Sequence, residues 1–146
     1  MYKELYLLVD LQEKFKLPEE YQKSVRTYIE KIQNLENVDI ITTKCFDNTG
    51  NNALLNWVTD LGYITINKTG YGLAENWLQY LKENYSTIHI LGADLDTCIY
   101  TIAMQLYDRD LDVKVHPNYC NSKEMFKHPF TEALKRNIGK ENVIFD

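Results

Sequence analysis

The sequence lacks the features that mark several large classes of protein. Its first apolar run, residues 5–9, ends at Asp10 and is too short for a membrane span or a signal-peptide core. It has no cluster of Lys and Arg, and its formal net charge is −5, so we predict neither a nucleic-acid nor a membrane partner. Its three cysteines contain no Cys-x-x-Cys pair, which favours reduced thiols and a cytoplasmic protein.

The sequence also has few histidines and no glycine-rich phosphate-binding loop. The only histidines are His89, His116 and His128, and their spacing fits no metal motif, so we interpret them as structural or surface residues. No phosphate-binding glycine loop occurs, which argues against a flavodoxin-like or nucleotide-binding domain. The sequence therefore predicts no metal and no cofactor.

Strand-like and helix-like segments alternate along the chain. With 146 residues, 45% of them hydrophobic, the chain is expected to form one domain over residues 1–146. The pattern predicts an α/β fold of three layers, Rossmann-like, with helices on both faces of a mostly parallel sheet of about six strands in the order 3-2-1-4-5-6. The predicted strands are residues 5–9, 38–43, 63–66, 87–91, 112–115 and 142–145, and the main helices follow Pro18 and cover 54–59, 73–83, the stretch after 96, and 126–137.

Three polar or nucleophilic residues follow predicted strands, where parallel sheets bind ligands. Asp10 ends the first strand, Lys68 follows the third, and Cys98 lies beyond the fourth, near the start of a helix that Asp96 is predicted to cap. A helix N-terminus lowers the pKa of a cysteine and offers N–H groups to an oxyanion. From position alone, a buried core cysteine, a capping aspartate and a solvated loop lysine remain open alternatives.

The same residues carry a family resemblance. Residues 9–15, Val-Asp-Leu-Gln-Glu-Lys-Phe, resemble the first signature of the isochorismatase-like cysteine hydrolases. Residues 67–73 resemble the lysine segment of that family, and residues 92–99, Gly-Ala-Asp-Leu-Asp-Thr-Cys-Ile, resemble its cysteine signature. The three motifs occur in the family's order and span most of the chain.

The resemblance implies a cysteine hydrolase that cleaves a small, non-peptide amide. Cys98 would attack the carbonyl and form a thioester, Asp10 would act as general base, and Lys68 would be its charge partner. It further implies a cis peptide joining Ala93 to Asp94, with the backbone N–H groups of Asp94 and Cys98 forming the oxyanion hole. Copies of the chain are expected to assemble into a dimer or a larger oligomer.

Two aromatic residues lie close to the motifs in sequence. Phe15 and Tyr71 each follow a proposed catalytic residue by a few positions, so they are candidates for an apolar substrate-binding wall, although packing in the core is an alternative.

The chain departs from the family pattern at several points. The Thr-Asp that usually precedes the cysteine is spread over residues 95–97, and Gly72 stands where the family usually has serine. Nicotinamidases of this family carry metal-binding histidines between the second strand and the lysine, and this chain has none there. These departures disfavour nicotinamide as the substrate. They also motivate the alternative hypothesis of a catalytically inactive binding or interaction protein.

Overall fold

The computed structural model describes residues 3–48 and 50–146, which form an α/β domain around one parallel sheet. The sheet confirms the predicted fold class and the order of its first five strands, which is β3-β2-β1-β4-β5. Its strands are β1 Glu4–Val9, β2 Val38–Cys45, β3 Ile64–Lys68, β4 Thr87–Ala93 and β5 Asp112–Asn121.

The predicted sixth strand is reduced to a single bridge. A 3-10 turn covers Lys140–Asn142, so the chain becomes extended only at Val143. Val143 forms one isolated parallel bridge with Val115, and the N–H of Ile144 donates to the carbonyl of Val115 at 2.8 Å. The described residues therefore form five full strands rather than six, because a 3-10 turn occupies the start of the predicted sixth strand.

Helices connect the strands, as parallel pairing requires. In such an order, right-handed crossovers run in opposite directions from β1, which places helices on both faces of the sheet. The helices are α1 Glu19–Ile32, α2 Asn56–Leu61, α3 Glu75–Asn84, α4 Tyr100–Tyr107 and α5 Glu124–Ile138, with a π-helical turn at Leu95–Ile99 leading into α4.

The core lies around β1, the central strand. Residues 5–9 are all buried, because β2 and β4 flank the strand and helices cover both of its faces. On α1, Val25, Ile29 and Ile32 repeat at helical spacing and are buried toward the sheet. Burying a side chain of this size contributes about 1.5–3 kcal/mol, so the continuous apolar run fixes β1 at the centre of the sheet.

Gly92 allows the close approach of β4 to β1 at the carboxyl edge. Its φ is +129°, and a Cβ at this position would lie 2.2 Å from the carbonyl oxygen of Val9. Only glycine fits such a backbone position. The peptide bond between the next two residues, Ala93–Asp94, is cis, as the resemblance implied, and the chain then turns into the π-helical segment that carries Cys98. The carboxyl ends of β1 and β4 thus meet at the point where strand order reverses, where α/β sheets bind ligands.

Candidate active site

The carboxylate of Asp10 is fully buried at the end of β1. Asp10 has a φ of 51°, and its side chain points into the edge of the sheet beside β2. The Thr43 hydroxyl donates to Asp10 Oδ1 at 2.6 Å and accepts from the Asp10 backbone N–H at 3.1 Å. Thr43 therefore fixes the rotamer of the carboxylate and leaves Oδ2 as the oxygen that faces the other site residues.

The ammonium of Lys68 joins the carboxylate to the thiol. Lys68 is the last residue of β3, and only 1% of its side chain is exposed. Its Nζ lies 2.8 Å from Asp10 Oδ2, and it donates to the Gly70 carbonyl at 2.7 Å and to Cys98 Sγ at 3.3 Å. Burial is the largest single influence and lowers the pKa of Lys68, but the charges of Asp10 and Cys98 and the hydrogen bonds to them together outweigh it. The pKa is therefore raised, and the ammonium stays charged.

One oxygen of the buried pair is left with spare capacity. Asp10 Oδ2 lies within ion-pair distance of Lys68 but accepts no well-aligned hydrogen bond from a described residue. A buried carboxylate oxygen without such a donor is uncommon in native proteins. It is free to accept one more proton, and the thiol of Cys98 is the neighbouring group able to supply it.

Cys98 lies on the π-helical turn Leu95–Ile99, and 6% of it is exposed. Its environment corrects the expectation of a lowered pKa. Burial first, and then the negative charge of Asp10, raise the pKa of the thiol to about 12, while the ammonium of Lys68 opposes them. The resting thiol is therefore protonated at neutral pH.

The predicted cap of this turn is also wrong. Asp96 lies inside the turn, whereas Asp94 is the residue at its start, and the Asp94 side chain makes no capping hydrogen bond. Instead, Asp94 Oδ1 accepts a hydrogen bond from Asn121 Nδ2 at 2.7 Å, which ties the residue after the cis peptide to the end of β5. The cap was expected two residues too late, because the helical segment begins with a π turn at Leu95 and becomes α-helical only at Tyr100.

The structure therefore brings Asp10, Lys68 and Cys98 together, and we call these three residues the triad. It leaves the two predicted substrate-binding aromatics on the surface: Phe15 is 37% exposed and Tyr71 is 61% exposed. Tyr71 directly follows Gly70, the carbonyl partner of Lys68. The arrangement holds a protonated nucleophile beside a buried carboxylate and a cation, which is suited to proton transfer coupled with attack on a carbonyl.

Sequence reasoning missed three residues that hold this site. Thr43 fixes Asp10, and the carboxamide of Gln12 bonds both the N–H and the carbonyl of Cys45, at 2.9 and 3.0 Å. Lys14 is the third, with its side chain only 8% exposed. Gln12 and Lys14 lie within the first motif, so their positions were visible, but nothing in the sequence indicates that they are buried.

The departure at Gly72 has a packing explanation. A Cβ at Gly72 would lie 2.6 Å from the carboxamide of Gln105. That carboxamide accepts from the N–H of Leu73 at 2.8 Å and donates to its carbonyl at 3.1 Å. Gln105 thus fills the space that a serine side chain would need.

Two polar side chains between β2 and β3 bind a cation of the chain itself. Asp47 and Asn52 both contact the ammonium of Lys14. Within residues 3–48 and 50–146, no group of three His, Cys, Asp or Glu side chains is arranged to hold a metal. Across the same ranges, no helix combines the length and apolar character needed to cross a membrane.

Comparisons with solved structures identify the fold. An isochorismatase-like hydrolase from Alkaliphilus metalliredigens aligns with a TM-score of 0.81 and 14% identity over 98% of this chain and 94% of its own. A nicotinamidase from Staphylococcus aureus gives 0.81 and 16% over the whole of both chains. N-carbamoylsarcosine amidase from Thermoplasma acidophilum gives 0.78 and 15% over 99% and 95%. No protein-family model matches the sequence, and no curated protein sequence matches it significantly. The chain therefore has the isochorismatase-like hydrolase fold.

Proposed function

We propose that this chain is a cysteine-dependent hydrolase that splits the C–N bond of a small, non-peptide amide. One observation carries the proposal: Cys98 Sγ lies 3.3 Å from Lys68 Nζ, which itself lies 2.8 Å from Asp10 Oδ2. A nucleophile, a cation and a proton acceptor from three distant parts of the chain thus meet at the ligand-binding edge of the sheet. The nicotinamidase and the amidase that share the fold support the same class of reaction.

The first half of the reaction forms a thioester. As Cys98 Sγ attacks the substrate carbonyl carbon, its proton passes to Asp10 Oδ2, and the carbonyl oxygen becomes an oxyanion. The backbone N–H groups of Asp94 and Cys98 donate to that oxyanion. Lys68 keeps its charge and stabilises the thiolate character that develops on sulfur. Asp10 then gives the proton to the substrate nitrogen, the C–N bond breaks, and the amine leaves.

The second half releases the acid. Water attacks the thioester carbon while Asp10 takes one of its protons, and the oxyanion forms again at the same N–H groups. Collapse of this intermediate breaks the C–S bond, the carboxylic acid leaves, and Asp10 returns the proton to Cys98 Sγ. The free enzyme is restored with the same protonation states.

The substrate is proposed to be small, because the triad is almost entirely buried. Phe15 and Tyr71 are the proposed apolar wall, since both present exposed aromatic surface and Tyr71 follows the carbonyl that binds Lys68. The cytoplasmic location and the assembly into a dimer or larger remain predictions.

A catalytically inactive binding protein is the second candidate. It is favoured by the burial of the triad, because even Cys98, the most exposed of the three residues, is only 6% exposed. In that case the triad would be a structural remnant beneath a binding surface.

The two candidates are separated by a panel of small primary amides and carbamates, with release of ammonia as the measurement. The hydrolase predicts ammonia release with at least one member, loss of that release by at least about 1,000-fold in Cys98→Ala, and near wild-type release in Cys120→Ala. Cys120 is a matched control because it is also a buried cysteine with a raised pKa. No ammonia release by the wild type from any member of the panel would favour the binding protein, and release that persists unchanged in Cys98→Ala would exclude Cys98 as the nucleophile.

A further inference from the structure

A second buried ammonium lies beside the triad, and the proposed mechanism does not use it. Lys14 Nζ lies 2.8 Å from the carbonyl oxygen of Cys45, 2.8 Å from Asn52 Oδ1 and 2.9 Å from Asp47 Oδ2. An ammonium has three N–H donors, and here each one faces an oxygen. Only 8% of the Lys14 side chain is exposed. Its three contacts are therefore needed to offset the free-energy cost of removing the ammonium from water.

The oxygens around Lys14 belong to the frame of the triad. Cys45 ends β2 and pairs with Lys68 in the sheet, and the N–H of Phe46 donates to the Lys68 carbonyl at 2.8 Å. Two residues before Cys45 on the same strand is Thr43, which holds the carboxylate of Asp10. A displacement of the end of β2 would therefore move the partners of both Asp10 and Lys68.

Gln12 also binds the end of β2. Its carboxamide bonds the N–H and carbonyl of Cys45, and it also donates to the carbonyl of Asn52 at 2.8 Å. Gln12 follows Asp10 by two residues and precedes Lys14 by two. The segment 10–14 thus carries the proposed general base at one end and, at the other, the cation that binds Cys45, Asp47 and Asn52.

We propose that Lys14 is a positioning residue for the triad and that its ammonium is the built-in cation that holds Cys45, Asp47 and Asn52 at the edge of the active site. The oxygens it binds are the kind that metal ions prefer, and here an ammonium of the chain itself lies between them. We therefore expect these residues to keep their positions without a divalent metal. Its effect on catalysis rests on the proposed hydrolase function, whereas its effect on the segment does not.

The test combines variants with chemical rescue. Lys14→Ala leaves a space for a small cation, Lys14→Met fills that space without a charge, and Lys31→Ala removes an exposed lysine of α1 as the matched control. Each protein is examined in methylammonium chloride and in tetramethylammonium chloride at equal ionic strength. Tetramethylammonium is cationic but has no N–H donor, so it controls for salt effects.

Two readouts are measured. Hydrogen exchange of the peptide spanning 45–53 reports the segment without any substrate, and kcat and KM on a hydrolysed amide report the triad. In Lys14→Ala we expect the segment to exchange about tenfold faster and kcat to fall about tenfold or more. Methylammonium should restore both in Lys14→Ala and neither in Lys14→Met, while tetramethylammonium restores nothing and Lys31→Ala behaves as wild type.

Three results would overturn the proposal: unchanged exchange in both Lys14 variants, equal rescue by the two salts, or faster exchange of the wild-type segment after treatment with EDTA. If Lys14→Ala does not fold, Lys14→Met alone decides. Faster exchange of the 45–53 peptide in Lys14→Met, unchanged by either salt, supports the proposal. Exchange of that peptide at the wild-type rate rejects it. If the wild type hydrolyses no amide but the exchange results are as expected, the proposed function fails while Lys14 keeps its role in holding the segment.

Discussion

Two polar networks with buried members lie in different parts of this sheet, and they are built on different principles. At the carboxyl edge, the triad pairs a carboxylate, an ammonium and a protonated thiol. Toward the other end of β1, a chain of hydrogen bonds runs from Glu4 through His89 and His116 to Asp146, and we call it the histidine chain. Its contacts are 2.8 Å, 2.9 Å and 3.0 Å in that order.

The difference lies in how completely each network is satisfied. Both ring nitrogens of His89 and of His116 have a partner, and Asp146 also accepts the hydroxyl of Tyr28 at 2.7 Å. In the triad, by contrast, Asp10 Oδ2 lacks a well-aligned donor. A network whose polar atoms all have partners contributes to stability, whereas a proton acceptor beside a nucleophile is suited to chemistry. The comparison predicts that changes in the histidine chain alter stability, and that changes in the triad alter both stability and rate.

The largest effect is expected from Lys68→Met. The substitution keeps the length of the side chain but leaves the fully buried carboxylate of Asp10 without its cation. Removing one partner of a buried pair typically destabilises a protein by about 3–5 kcal/mol, and the free energy of unfolding from urea denaturation measures it. Lys114→Met is the control, because that lysine is 25% exposed beside Asp112 and should change stability by about 1 kcal/mol or less. Equal losses in the two variants would contradict the account.

The pH dependence of thiol alkylation tests the environment of Cys98. Since its pKa is raised to about 12, the thiolate fraction should rise about tenfold for each pH unit between 7 and 10. The rate of alkylation by iodoacetamide, followed by mass spectrometry of the Cys98 peptide, should rise in parallel without levelling off. A plateau below pH 8, or rapid labelling at pH 6, would show a preformed thiolate and would reject proton transfer during attack.

A smaller effect is expected from His116→Asn in the histidine chain. His116 is 2% exposed, and the loss of its contacts to His89 and Asp146 should destabilise the protein by about 1–3 kcal/mol at pH 7 without lowering kcat. His128→Asn, on the exposed face of α5, should change neither quantity. A loss of kcat in His116→Asn at a pH where the protein is fully folded would remove the distinction between the two networks.

The same residue gives the wild type a pH dependence of stability. Burial first lowers the pKa of His116, opposed by Asp146 and reinforced by the charge of His89; Tyr6 and Tyr28 are the other titratable groups that face it. In the unfolded state, His116 therefore takes up a proton near pH 6.5, whereas in the folded state it takes up that proton only at a lower pH. The free energy of unfolding should therefore fall as the pH drops from 7 to 5, and this fall should be smaller in His116→Asn.

The smallest effect is expected from Gly72→Ser, which introduces the residue usual in the family. The new Cβ would displace the carboxamide of Gln105 and its two hydrogen bonds to Leu73. Because Gln105 is flexible at that end, the loss of unfolding free energy should be about 1 kcal/mol or less. The variant Gln105→Ala removes the clashing carboxamide. Adding Gly72→Ser to Gln105→Ala should therefore cost less unfolding free energy than adding Gly72→Ser to the wild type. An additive result would mean that Gln105 is not the obstacle.

Much of the fold followed from local patterns because those patterns have local causes. The apolar run at 5–9 is continuous because β1 is covered on both faces, and Asp10 stands out because a carboxylate there must lie at the strand exit. The sixth strand was predicted to be too long, since the pattern of residues 142–145 does not show that a 3-10 turn covers Lys140–Asn142.

The site was harder to predict because its chemistry depends on long-range contacts. The position of Cys98 near a helix start suggested a low pKa, but burial and Asp10 have the opposite effect and are stronger. Lys14 and Lys68 look like ordinary loop lysines in the sequence, and only the fold supplies the oxygens around each of them. The histidine chain likewise joins residues from four distant segments, so no spacing rule could reveal it.

The most direct test of the central claim is mass spectrometry of the protein quenched during turnover of a hydrolysed amide. The account predicts an acyl group, equal in mass to the substrate less its amine, on the peptide that contains Cys98. It also predicts that the adduct builds up when water attack is slowed and is absent from Cys98→Ala. Turnover at full rate with no adduct on Cys98, or with the acyl group on another residue, would contradict it.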